Sequence, residues 1–228
     1  LTDRLEATAT PIMVAFHRRY DPGYQRLRER IAAGEIGLVR IARSTNHDHY
    51  PLPLHFIPES RGIWLDLLIH DFDITPWVMG QTVTSVQAFG SVMDEREYAR
   101  HGDVDTAVAV LEFDSGAMAT ISGTRKNGAG QDCRLEVFGS DGTLGAGFDE
   151  HMPVSSTEPE AALPESPYAD YQVRFEPAFR SEIANFIRMV LGEAPSLTPP
   201  RSGLVATRIA EAAGKSLMTG RRIMIDHS

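Results

Sequence analysis

The chain is short of almost everything that would send it to a membrane, a nucleic acid or an oxidising compartment. It has one cysteine, Cys133, so no disulfide can form within it, and a reducing cytoplasm is the expected setting. No apolar run approaches the roughly 20 residues that cross a bilayer, and no signal-peptide pattern opens the chain. Basic residues are outnumbered: 22 Lys and Arg against 31 Asp and Glu leave a net charge of −9. Phosphate backbones select for the opposite sign, which argues against nucleic acid as the main partner. Missing too is the strand–Gly-x-Gly-x-x-Gly–helix unit that cradles a dinucleotide. The nearest Gly-rich stretch runs from Gly139 to Gly147. It follows a strand pattern, but no helical pattern follows it, and Ser140-Asp141-Gly142-Thr143 is hairpin-turn chemistry.

What is present describes an ordinary globular chain of 228 residues, 42% hydrophobic and 23% charged, long enough for one large domain or two small ones. Residues 1–10 read as the tail of a helix, and residues 12–16 as a short buried strand. Asp21 and Pro22 open an amphipathic helix that Gly34 closes. A strand is expected over residues 38–45, another over 83–91, a hairpin over 106–113 and 117–125, and a further strand over 133–138. Residues 150–166 read as a long loop, 179–191 and 202–219 as helices, and 222–226 as a last strand. Ile183, Phe186, Ile187 and Val190 share one side of the first of those helices. Several antiparallel strands in succession imply an α+β fold: a large, open, mostly antiparallel sheet with helices on one face. Val108, Val110, Ala119 and Ile121 supply surplus apolar positions for the other face.

Chemistry concentrates between Gly62 and Trp77. On one continuous helix, Asp66, His70 and Asp73 fall at i, i+4 and i+7 and leave the same face. A carboxylate one turn from an imidazole would orient the ring and raise its basicity, as a proton-transferring His requires. Two other readings stand beside this one. His70 is a satisfied structural residue, or the three side chains hold a metal ion for a hydrolase or isomerase. Just upstream, Asn46, His47, Asp48 and His49 form a polar strand exit, whose plain reading is a solvated loop. His47 and His49 alone would leave any metal without a third ligand. Arg18 and Arg19, at the mouth of the first strand, are either ion-pair partners or contacts to a ligand.

The Gly62–Trp77 stretch resembles the Gly-x-x-x-Asp-x-x-x-His-x-x-Asp signature of the Gfo/Idh/MocA oxidoreductases, nearest their inositol 2-dehydrogenase branch. Phe16-His17-Arg18-Arg19-Tyr20-Asp21-Pro22 is similar to that family's Phe-Asn-Arg-Arg-Phe-Asp-Pro. Gly102-Asp103-Val104-Asp105-Thr106-Ala107 and Glu136-Val137-Phe138-Gly139-Ser140-Asp141-Gly142-Thr143 match its paired strands and turn, in the same order. The resemblance runs from about Pro11 to the C-terminus.

The resemblance implies a sheet of the glyceraldehyde-3-phosphate dehydrogenase-like C-terminal type over residues 17–228. Residues 1–16 would be the remnant of a Rossmann domain, with about a hundred or more residues ahead of them. It implies oxidation of a secondary alcohol of a polyol or sugar with NAD or NADP. His70 would be the base, oriented by Asp66, with Asp73 and, less centrally, Asn46, Asp48 and His49 on the substrate, and Arg18 and Arg19 toward the cofactor. No metal is implied, and a homo-oligomer, dimer or tetramer, would form through the open sheet face. The family's Glu-Lys-Pro lysine does not occur here. His17 replaces the usual Asn, Arg61 stands where a second Gly is common, and Asn127 to Gly130 replace aromatic residues. A competing expectation is a non-catalytic binding or scaffold module that kept the sheet for assembly.

Overall fold

The computed structural model describes residues 2–8, 10–161 and 165–226. Helix α1 (Thr2–Glu6) leads through extended chain to a 3-10 turn, His17–Tyr20, and then to α2 (Pro22–Ala32). Asp21 caps α2: its carboxylate accepts from the N–H groups of Gly23 and Tyr24, and Pro22 sits where a missing N–H leaves nothing unpaired. The strand expected over residues 12–16 does not form. Val14 N–H donates to Thr198 O, and among the described residues no strand pairs with this stretch. Of the apolar run only Phe16 is buried.

Next come β1 (Val39–His47), α3 (Ile63–Asp66), α4 (Ile69–Met79), β2 (Val83–Ser91), the short α5 (Glu97–Arg100) and β3 (Thr106–Phe113). They are followed by β4 (Met118–Thr124), β5 (Asp132–Gly139), β6 (Thr143–Ala146), α6 (Tyr171–Arg174), α7 (Glu176–Val190), α8 (Pro200–Thr219) and β7 (Ile223–Met224). The strands form one seven-stranded sheet in the order β6-β5-β1-β4-β3-β2-β7. Every neighbouring pair is antiparallel except β1 with β4, which is parallel. Short turns join β3 to β4 and β5 to β6, whereas the parallel pair requires the long crossover that carries α3 and α4. Among the described residues no helix is long and apolar enough to cross a membrane.

One face of the sheet is covered by helices. Val137, Ala42, Ala119, Leu111 and Val86 lie in register across five strands on that face, all fully buried. The small residues at its centre let the helices approach. Gly123 on β4 shows how closely: a Cβ there would stand 2.6 Å from Leu68 Cδ2. The open face carries Arg43, Glu136, Thr120, Val110 and Gln87 in the adjacent row. Val108 is exposed there, but Ala119 and Ile121, expected on the same face, lie fully buried under the helices. Strand alternation puts them opposite Val108 and Val110, and a one-residue difference in register reverses the face.

Helix α7 is built the other way round from an ordinary surface helix. Ala178 and Glu182 are buried, and Asn185 Oδ1 is sealed without a partner. Ile183, Ile187 and Val190, with Leu191 just beyond the helix end, are each more than half exposed. The helix expected over 179–191 is present, with its apolar side facing outward.

Candidate functional site

The signature segment is two helices rather than one. Gly62, at φ 90°, turns the chain into α3, and Asp103 Oδ1 accepts from Ile63 N–H, an N-cap supplied from across the fold. The ladder then slips: Leu68 N–H donates to Ile63 O, five residues back, before α4 begins. Counting i+4 and i+7 from Asp66 therefore loses phase, and the three side chains do not share a face. The metal reading loses its geometry with it. Among the described residues, the only group of three or more ligand atoms close enough to share an ion is Glu150, His151 and Glu165, in the loop after β6.

His70 and Asp66 do line one cavity, of about 400 Å³, with Ala15, His17, Arg18, Asn46, Asp48 and an apolar wall. That wall is Leu52, Phe56, Leu67, Tyr171, Phe175 and Phe179. His70 Nδ1 is sealed without a partner; Nε2 has none either and is not sealed, so it opens to the cavity. Burial, together with the nearby Arg18 cation, lowers the His70 pKa to about 3, and the ring is neutral at physiological pH. Asp66 does not orient it. Its Oδ2 accepts instead from Nη1 of Arg125, a fully buried side chain. The carboxylate is fixed in place at the cavity edge by a neighbour that sequence spacing did not reveal.

An acid behind the cavity wall, which ties two of its lining residues together, was not among the sequence candidates. Asp71, fully buried, accepts from Arg18 Nη1 at 2.9 Å, Ser44 Oγ at 2.6 Å and Asn46 Nδ2 at 2.7 Å. Burial works against the Arg18 charge, but Asp71, Cys133 and Tyr24 together hold the guanidinium above its ordinary pKa. Arg18 is thus at the cavity wall, yet already neutralised. Asn46 also donates to Leu67 O, and its Oδ1 accepts from the Cys133 thiol, so its amide is occupied by the fold. Burial pushes that thiol up to about 11. Asp48 lines the cavity and accepts from Gln131 Nε2 at 3.1 Å, and burial raises its pKa.

Three sequence candidates lie elsewhere. Asp73 faces away from His70 and is gripped by Arg19, Oδ1 by Nη2 at 2.6 Å and Oδ2 by Nε at 2.9 Å. Arg19 in turn donates to Leu197 O and lies over the Trp77 ring. The pair lines a separate pocket with Pro76, Trp77, Arg201 and Ser202, so neither residue reaches the cavity, and Arg19 is not free for a cofactor. Burial raises Asp73 to about 6 against the pull of Arg19. His49 turns its Nδ1 to Ala169 O at 2.9 Å and stacks on Tyr50, while His47 Nε2 meets Ser122 Oγ. The two imidazoles are tied separately.

The chain as a whole has counterparts among known proteins. The family model described as "GFO/IDH/MocA C-terminal domain" matches residues 24–145. The chain is 35% identical to the myo-inositol 2-dehydrogenase of Thermotoga maritima over 94% of its own length and 64% of that protein's. It is 30% identical to the scyllo-inositol 2-dehydrogenase (NAD(+)) of Bacillus subtilis over 99% of its length and 66% of that protein's. A crystal structure of a putative myo-inositol dehydrogenase from Sinorhizobium meliloti 1021 superposes with a TM-score of 0.87 at 32% identity. It covers 98% of this chain and 68% of the other. The chain thus spans just under two-thirds of the curated relatives it matches. The covered sheet, the split signature helix and the more than half of the sequence that the model matches fit one assignment: the chain belongs to the GFO/IDH/MocA family and carries its C-terminal domain.

Proposed function

We propose that the chain is the substrate-side part of an NAD(P)-dependent dehydrogenase that oxidises a secondary alcohol of a cyclic polyol of the inositol class. The observation that carries this reading is His70: a neutral imidazole with an unpartnered nitrogen opening into a cavity that also holds the Asp66 and Asp48 carboxylates. An alcohol loses hydride only as its hydroxyl proton departs, and His70 Nε2 takes that proton. In the reverse direction the imidazolium, held in so dry a site, is a strong acid and returns the proton to the carbonyl oxygen. Asp66, fixed by Arg125, and Asp48 accept hydrogen bonds from neighbouring hydroxyls, each carboxyl oxygen offering acceptor lone pairs. Leu52, Phe56 and Phe175 cover the C–H faces of the ring.

Nicotinamide supplies the hydride chemistry when bound. Residues 1–16 belong to the cofactor-binding domain, and residues 17–228 to this one. The name of the Bacillus relative favours NAD over NADP. Because Arg18 and Arg19 are engaged by Asp71 and Asp73, Arg18 positions the cavity wall, Arg19 fastens α4 to the segment before α8, and both leave the cofactor's phosphates to the other domain. The outward apolar side of α7, which continues from the cavity through Tyr171 and Phe179, is the surface that domain covers. The open sheet face, with Val108 and Met118 exposed, assembles a homo-oligomer, and the protein works in the cytoplasm.

The test is reduction of NAD⁺ by a chain carrying both domains, offered myo-inositol, its stereoisomers and a panel of sugars. His70→Ala should lower the rate by about two to four orders of magnitude with the fold intact. A wild-type protein that oxidises no polyol or sugar would overturn the reading.

A further inference from the structure

His17 opens the 3-10 turn and packs among three rings. It stacks on Phe179 at 4.6 Å between centroids, meets Phe175 edge-on at 4.7 Å and meets His70 edge-on at 5.1 Å. It lines the same cavity as His70 and is itself only 6% exposed. Neither ring nitrogen has a hydrogen bond: Nε2 is sealed without a partner, and Nδ1 is unpartnered but not sealed. Burying an imidazole this way costs free energy that a Phe or Leu at the same position would not incur. Packing alone therefore does not account for a histidine here.

The surroundings restrict what the free nitrogen can bind. Burial first, then His70, Arg18 and Arg174, lower the His17 pKa to about 2, so the ring offers a neutral donor and acceptor. An anion would find the Arg18 guanidinium already neutralised by Asp71, and among the described residues no third ligand atom stands close enough to the two imidazoles to share a metal ion with them. A hydroxyl meets neither obstacle. Two imidazoles in edge contact, each with an unpartnered nitrogen on one cavity, match two oxygens separated by about one hydrogen-bond length. Hydroxyls on neighbouring carbons have that separation.

We propose that His17 is a substrate-binding residue that holds the hydroxyl adjacent to the one handled by His70, so that the site selects compounds with two neighbouring hydroxyls. This rests on the polyol reading above and narrows it to vicinal diols. Asp66 and Asp48 then serve hydroxyls further round the ring.

The experiment is a titration of the protein carrying both domains with myo-inositol and, separately, with cyclohexanol, following the ¹⁵N resonances of the imidazoles. With myo-inositol both His17 and His70 nitrogens should shift; with cyclohexanol only those of His70 should. His17→Phe, which keeps the stacking on Phe179, should weaken myo-inositol binding about tenfold, the worth of one hydrogen bond, and leave cyclohexanol binding unchanged. The wild-type resonances decide the matter should that variant fold poorly. If wild type binds myo-inositol with the His17 resonances unmoved, or His17→Phe binds it equally well, the inference is overturned while the polyol reading stands. If wild type binds neither myo-inositol nor any of its stereoisomers or the sugars of the panel, both fall.

Discussion

Arg18 and Arg19 are consecutive, and so nearly are their partners Asp71 and Asp73, yet the two ion pairs do different work. A 3-10 turn rotates neighbouring side chains by about 120°, and two residues along an α-helix differ by about 200°. The first pair is accordingly driven inward, under the cavity, where Asp71 is fully buried and gathers three donors. The second is driven toward α8, where Arg19 keeps a backbone carbonyl and the Trp77 face as well. The inner pair fixes the shape of the cavity wall; the outer pair fastens the signature helix to the segment before α8. Similar chemistry does not imply a similar role.

Removing one partner separates them most sharply. Asp71→Ala strands the Arg18 charge in the interior and should cost about 3–5 kcal/mol. Asp73→Ala leaves Arg19 with Leu197 O and Trp77 at the edge of a pocket and should cost about 1–3 kcal/mol. Urea unfolding midpoints with a common m value would show this; equal losses, or the reverse order, would contradict the distinction.

The second consequence is a pH dependence set by the imidazoles beside the inner pair. His17 and His70 have folded pKa values near 2 and 3, below the ordinary 6.5, so the unfolded chain takes up protons that the folded chain refuses. Their contribution is present above pH 6.5 and is lost progressively as pH falls from there toward 3. His17→Asn should remove one proton from that slope, about 1.4 kcal/mol per pH unit. Stability measured between pH 5 and 6.5 in both proteins gives the difference, and parallel curves would refute it.

The smallest expected effect concerns an acid with no arginine opposite. Glu182 has one carboxylate oxygen sealed without a partner, and burial pushes its pKa up to about 7. The sign is opposite to that of the imidazoles: its stability is fully present below about 4.5 and is lost as pH rises through 7. Glu182→Gln should therefore stabilise the chain at pH 8 by about 1 kcal/mol, after discounting for partial access to water, and leave it unchanged at pH 5. Thermal midpoints at the two pH values check this.

How much of this was legible in the sequence depends on whether the signal was local. Caps and turns were: Asp21 and Pro22 start α2, Gly34 follows its end at φ 79°, and residues 139–142 turn β5 into β6, because each rests on a neighbour a few residues away. The strand alternation also read correctly, although which face it buried did not for Ala119 and Ile121. The partners of Asp66 and Asp73 were hidden because Arg125 and Arg19 lie 59 and 54 residues away. Asp71 was missed because it broke the spacing used to choose candidates. A better signal was available. Ile69, Phe72, Ile74, Trp77, Val78 and Met79 leave α4 no polar side, so any acid on it must be buried and paired. Two adjacent arginines upstream were the matching charges.

The Cys133 thiol, enclosed by Asn46, Gln131 and Arg18, turns that packing into a clock. Sealed and held protonated, it cannot meet a soluble disulfide reagent until β5 and the Arg18 turn come apart. The rate at which it is labelled therefore counts those openings, and its ratio to the rate for an exposed thiol is the equilibrium constant of the excursion. The chain's only cysteine thus reports what fraction of the time the floor of the cavity is lost.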